Sequence, residues 1–205
     1  MKTNVNRYEK LGFGKYYHIL NKAVGNELLF RTEKDYYYFL AKIEHYILPI
    51  ADIYSYCLIP NHFHLLIKIK AEENINLQYL KIDDNLGYKV LQQTFGNFFN
   101  SYSKSYNKVY DRKGSLFLRP FKRILVEDES YLLSLITYIH RNPIHHKINK
   151  EYSDWKYSSY NAIVSNKSTK IKRMEVIDFF GSEEEFVIFH EDNKPIKGIG
   201  KYLLE

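Results

Sequence analysis

ADIYSYCLIPNHFHLLIKI, residues 51–69, reads as two strands and the turn between them. ADIYSYCLI (51–59) alternates as a strand, Pro60-Asn61 interrupts it tightly, and FHLLIKI (63–69) returns, so the stretch predicts a β-hairpin. Its second arm carries two histidines, His62 and His64, in a run that otherwise belongs in a core. Residues i and i+2 of a strand point to the same face, so the two imidazoles stand side by side while Phe63 and Leu65 turn inward on the other. Such a pair is a metal-binding edge. Among eight histidines this spacing also arises by accident, so a third ligand is required before the edge means anything.

Outward from the hairpin, KYYHILNKAV (15–24) predicts a strand with Tyr17, Ile19 and Asn21 on one face, and KDYYYFLAKIEHYIL (34–48) a helix with Pro49 just beyond it. A longer helix is predicted over about 86–108, before the Gly114-Ser115 turn, and FLRPFKRILVE (117–127) is an extended piece. Asp128 or Ser130 can cap the next helix, ESYLLSLITYIHRN (129–142), which Pro143 helps to end. A short helix is expected near 155–165, a linker at NKSTKIKR (166–173), and one or two helices in VIDFFGSEEEFVIFH (176–190). The order strand, helix, strand, strand, helix, strand predicts an α+β sandwich whose antiparallel sheet is covered by helices on one face. Residues 1–165 form the predicted domain, and 166–205 a C-terminal extension, helical or irregular.

The 205 residues suit one domain, and 45% apolar content is that of a globular chain. No stretch approaches the apolar length of a membrane helix and the N-terminus lacks a signal-peptide core, so a soluble, cytoplasmic protein without membrane contact is expected. The single cysteine, Cys57, forms no intrachain disulfide and reads as a buried strand residue. The net charge is +6, and residues 101–123 alone hold Lys104, Lys108, Arg112, Lys113, Arg119, Lys122 and Arg123 against only Asp111. With Tyr102, Tyr106, Tyr110, Phe117 and Phe121 among the cations, this segment suits a nucleic-acid strand, cations meeting phosphates and rings meeting bases. No paired-carboxylate motif supports an aspartate-metal nuclease, and no clear RNP aromatic signature supports an RNA-binding sheet.

A partner for the histidines is offered by YIHRNP (138–143). On a helix Tyr138 and Asn142 lie one turn apart, about 6 Å along the axis, at the edge of the apolar stripe Leu132, Leu135, Ile136 and Ile139. Tyr17 and Asn21 share that spacing, but on a strand they would be about 13 Å apart. Tyr88 and Gln92, early in the long helix, are the rival pair.

Taken together, PNHFHLLI (60–67), GSLFLRPFKR (114–123), YIHRNP and DWKYSSY (154–160) resemble the REP-associated tyrosine transposases and related single-tyrosine insertion-sequence transposases, in which two histidines flank a hydrophobic residue. The motifs stand in that family's order over about residues 10–165. Leu118 replaces the glutamine of the family pattern, and Pro120 departs from it too. The resemblance implies a ferredoxin-like fold with the histidines on a central strand. It further implies Tyr138 as nucleophile, Asn142 as third ligand beside His62 and His64, and a divalent ion, Mg²⁺ or Mn²⁺. The implied reaction is transesterification on single-stranded or hairpin DNA through a 5′-phosphotyrosine, by a monomer or by a homodimer that exchanges the tyrosine helix. Contacts to DNA are expected from Lys104, Lys108, Arg112, Lys113, Arg119, Lys122, Arg123 and Arg141. A noncatalytic binder of single strands and a transposase domesticated by its host are the alternatives.

Overall fold

The computed structural model describes residues 6–76 and 87–192; the expected helix start at 86 and the end of the C-terminal extension lie outside them. The hairpin forms as read: β2 (Ala51–Ile59) and β3 (His62–Ile69) pair antiparallel from Ile59 opposite His62, closed by Pro60 and Asn61. β1 (Tyr16–Lys22) lies against the other side of β3, and β4 (Lys122–Val126) against β1, giving one four-stranded antiparallel sheet in the order β2-β3-β1-β4. Thus β3 is a central strand, and His64 stands between Leu20 of β1 and Cys57 of β2.

Two helices cover one face. α1 (Glu33–Tyr46) starts at a capping box, in which Asp35 accepts from the Thr32 backbone, and α2 (Gly87–Val109) runs beside it. Phe39 and Ile43 of α1 and Leu91, Phe95 and Phe98 of α2 are buried against Ile19, Phe63, Leu65 and Ile67. The opposite face is also covered, which corrects the expectation of a one-sided sheet. There Cys57, Ile59 and Leu66 meet Leu135, Ile136 and Ile139 of α3 (Glu129–His145), together with Val176 of α5 (Arg173–Phe180) and Phe186 of α6 (Glu183–Glu191). A register shift between Ile53 and Ser55 makes this second layer possible: it turns Tyr54, Cys57 and Ile59 toward α3 while Ile53, Tyr56 and Leu58 pack toward α1 and α2. Both faces of the sheet therefore carry apolar residues, and each needs its own cover.

α3 starts where expected, with the Asp128 carboxylate accepting from the Tyr131 N–H at 2.8 Å. Its end is different. Pro143 does not stop it, because a proline in the last turn removes only one ladder bond; the helix runs to His145 and breaks at Lys147, whose φ is 54°. The expected helix at 155–165 shrinks to α4 (Tyr160–Val164). Its first half binds the open edge of β2 instead, with Leu58 N–H donating to Tyr157 O at 3.0 Å and Trp155 Nε1 to Leu58 O at 2.9 Å. The segment 176–190 forms two helices, parts of α5 and α6, packed on β2 and α3. No described helix is long and apolar enough to cross a membrane.

Candidate active site

Strand parity puts His62 and His64 on the face of the sheet that α3 covers, and the helix lays Tyr138 and Asn142 over them. The Tyr138 ring meets His64 edge-on at 5.6 Å between centroids, and Asn142 Oδ1 lies 3.3 Å from His62 Nε2. All four are nearly or fully buried. Residues 74 positions apart in the chain, His64 and Tyr138, thus face each other within one subunit. Tyr88 and Gln92, the rival pair, belong to α2 on the other side of the sheet.

His62 Nδ1 lies 2.8 Å from Asn61 Oδ1, an atom that can only accept, so Nδ1 carries the proton. Burial, reinforced by the neighbouring His146 ring, pushes the His62 pKa down to about 3, so at neutral pH the ring has no second proton. Nε2 therefore turns a lone pair toward Asn142 Oδ1, which is itself an acceptor. His64, held well below the ordinary histidine range by burial first and by the His18 and His62 rings next, has its Nε2 buried with no partner. Its Nδ1 lies 2.8 Å from His18 Nε2.

His62 Nε2 and Asn142 Oδ1 thus face each other as acceptors, and His64 Nε2 has no partner, so none of the described residues satisfies any of the three. Adjacent ligands at right angles on an ion with bonds of ~2.1–2.2 Å stand ~3.0–3.1 Å apart, near the spacing of His62 and Asn142. The donor set fits a divalent cation that accepts mixed nitrogen and oxygen ligands. It includes only two residues of the strong ligand types, and no group of three His, Cys, Asp or Glu placed for a metal exists among the described residues.

Further histidines gather here. His146 packs edge-on to His62 at 4.6 Å, and His145 stacks on Tyr138 at 5.5 Å. A helix that ends at Asn142 leaves both in a loop, whereas the helical spacing carried through Pro143 places His145 two turns from Tyr138. His18 is hidden in the sequence for another reason: Tyr17 and Ile19 mark the other face of β1, and only the β1–β3 pairing shows what the His18 face meets. His140, between Tyr138 and Asn142, points away and is buried against His190 and Ser159.

The expected DNA contacts divide into two groups. Lys104, Lys108, Lys113 and Arg119 are exposed on α2 and the following loop, and Lys104 and Arg119 border a groove of about 780 Å³ with Asn100, Phe99 and Phe117. Lys122 is half-buried on the face of β4 that also carries Ile124 and Val126, two strands from His64, and burial lowers its pKa. Arg123, by contrast, is buried with Nε donating to Glu9 O at 2.5 Å, and Arg112 pairs with Glu27 at 3.2 Å. Arg141 Nη1 donates to Asp192 O at 2.9 Å and to His190 O, holding the end of α6. All three guanidinium groups are bonded within the protein, and of the three residues only Arg123 is buried.

No family model and no curated protein matches the chain. Comparison with solved structures gives a match to a REP-associated tyrosine transposase bound to a REP hairpin, with a TM-score of 0.54. The fold is shared. At 13% identity the match covers 78% of this chain and 86% of the other, so the likeness extends over most of both molecules and concerns architecture alone.

Proposed function

We propose that the protein is a metal-dependent single-stranded DNA endonuclease and strand transferase, a single-tyrosine transposase acting on hairpin-containing DNA, with Tyr138 as nucleophile. The observation that carries this reading is the convergence of Tyr138, 5.6 Å from the His64 ring, with the three unshared donors of His62, His64 and Asn142. The element order β1-α1-β2-β3-α2-β4 and the strand order agree with a ferredoxin-like fold. The architectural neighbour, bound to a REP hairpin, supports the choice of DNA.

Tyr138 Oη attacks the scissile phosphorus; the bond from phosphorus to the 3′ oxygen breaks as the tyrosyl ester forms, and the tyrosine proton ends on the released 3′ hydroxyl. One phosphodiester replaces another, so no nucleotide cofactor is consumed. A divalent ion, Mg²⁺ or Mn²⁺, held by His62, His64 and Asn142 would supply Lewis-acid stabilisation of the charge on the phosphate oxygens. All three ligands are neutral, so they leave the ion its full charge. Burial keeps His62 and His64 uncharged, so each ring retains one nitrogen lone pair at neutral pH. The exposed Lys104, Lys108, Lys113 and Arg119 hold the incoming backbone.

The test incubates the purified chain with labelled single-stranded hairpin DNA and Mn²⁺ or Mg²⁺ and resolves covalent adducts on denaturing gels. Tyr138→Phe abolishes the adduct while retaining the folded state, and Tyr88→Phe retains it. DNA binding without an adduct under either metal overturns the catalytic reading in favour of a noncatalytic binder.

A further inference from the structure

We propose that His18 is a positioning residue for His64, accepting its Nδ1 proton and so holding the ring with its Nε2 lone pair free to face a cation in the site. The inference rests on the reading of His62, His64 and Asn142 as cation ligands. His18 lies on β1, opposite Leu66 in register, and projects to the same face as His64. The two rings overlap at 5.1 Å with 24° between their planes, and His18 Nε2 is 2.8 Å from His64 Nδ1.

A ring that offers one nitrogen lone pair to a cation carries its single N–H on the other nitrogen, and an imidazole that accepts that N–H carries its own proton on its far nitrogen. One proton therefore lies between the rings, and it has two owners to choose from. If His18 owned it, His64 would carry its own proton on Nε2, a buried N–H with no acceptor pointing at any cation in the site. If His64 owns it, His64 Nε2 is bare and His18 carries its proton on Nδ1. His64 Nε2 and His18 Nδ1 are both buried without partners, so neither arrangement is favoured by the protein's other hydrogen bonds. A cation at His64 decides between them, and His18 is the acceptor that lets it do so. Asn61 serves His62 in the same way, through the 2.8 Å bond to Nδ1. Each ligand ring thus has one outer partner, as ligand histidines require for a set orientation.

Mn²⁺ binding to the full chain, followed by calorimetry and by the electron paramagnetic resonance of free Mn²⁺, tests this apart from activity. His18→Leu should weaken Mn²⁺ binding ~10–100-fold, whereas His18→Gln, whose amide oxygen stands near the imidazole Nε2 position, should recover most of it. Equal losses in both variants would mean packing alone and overturn the proposal. So would wild-type affinity in a folded His18→Leu, with the ligand set itself left standing; a wild-type chain that binds no Mn²⁺ would remove both. Should the leucine variant fail to fold, nitrogen-15 spectra of the wild-type chain with Zn²⁺ as a diamagnetic probe decide the matter. A His64 Nδ1 proton with scalar coupling through the hydrogen bond to His18 Nε2 is expected; a His64 Nδ1 proton without that coupling overturns the role of His18 and leaves the ligand set standing, whereas a proton on His64 Nε2 removes both.

Discussion

At Asn142 the proposed function and the stability of the fold pull apart. Its Oδ1 faces another acceptor and its Nδ2 is buried without a partner, an arrangement that costs the fold and that the proposed ligand role would explain. Asn142→Leu should therefore leave the thermal midpoint unchanged or raise it, because replacing an unsatisfied buried amide by an apolar group is neutral or favourable, while adduct formation falls by about 10²-fold or more. Melting curves and gel assays on one preparation check both halves. Cys57 makes the opposite point. It is fully buried opposite His64, and burial raises its thiol pKa well above the ordinary value, so it should resist thiol reagents in the folded chain and react only after denaturation. The histidine pair was legible at this scale because strand parity is a local property. Its outer partners divided: Asn61 is the adjacent residue, but His18 is 46 positions from His64.

α3 is the element on which the site depends, and it is gripped from both sides. Toward the sheet it buries Leu135, Ile136 and Ile139; on its other flank His140 joins a chain of one-directional hydrogen bonds to α6. His190 Nδ1–H must donate to Phe186 O at 2.7 Å, so its Nε2 accepts from His140 Nδ1 at 2.8 Å. His140 Nε2 then accepts from the Ser159 hydroxyl at 2.8 Å, whose oxygen accepts from Tyr56 N–H in β2. Sheet, tyrosine helix and C-terminal helix share this relay. His190→Leu breaks it in the middle and should lower stability by about 1–3 kcal/mol through the unpaired His140 nitrogen, and Phe186→Ala by about 3–5 kcal/mol, both read from urea unfolding. Helix existence was legible from apolar spacing and from the Asp128 cap. The helix end was not, because proline excludes itself from a helix interior far more strongly than from a last turn.

Across the whole molecule, five buried histidines, His18, His62, His64, His140 and His190, have pKa values pushed below the ordinary one, first of all by burial. The values are about 3 for His18 and His62 and about 4 for His190. Above pH ~6.5 neither the folded nor the unfolded chain protonates them, and they leave stability level with pH. Below it the unfolded chain takes up protons that the folded one refuses, so stability falls with acidification, for His18, His62 and His190 until their folded values near pH 3–4 are reached, each histidine withdrawing up to about 1.4 kcal/mol per pH unit. Urea midpoints should be flat from pH 8 to 7 and drop steadily toward pH 5. The cations make a second prediction at this scale. Lys104→Ala and Arg119→Ala should each reduce the salt dependence of single-strand binding by about one unit of slope, whereas Arg123→Ala, which empties a buried site, should chiefly lower stability. Filter binding over a salt series and urea unfolding separate the two effects.

What the sequence determined by itself was whatever depends on near neighbours: the hairpin at 51–69, the shared face of His62 and His64, the helix carrying Tyr138 and Asn142 on one side, and the density of cations in 101–123. Periodicity and turn chemistry are local, and a chain states them openly. Tertiary structure alone decided that the sheet is covered on both faces, that His18 meets His64 across β1 and β3, and that Arg112, Arg123 and Arg141 are occupied within the protein. Each of these follows from which strands pair and which helix packs where. Pairing is settled by the summed burial of distant residues, a quantity that no short window of sequence contains.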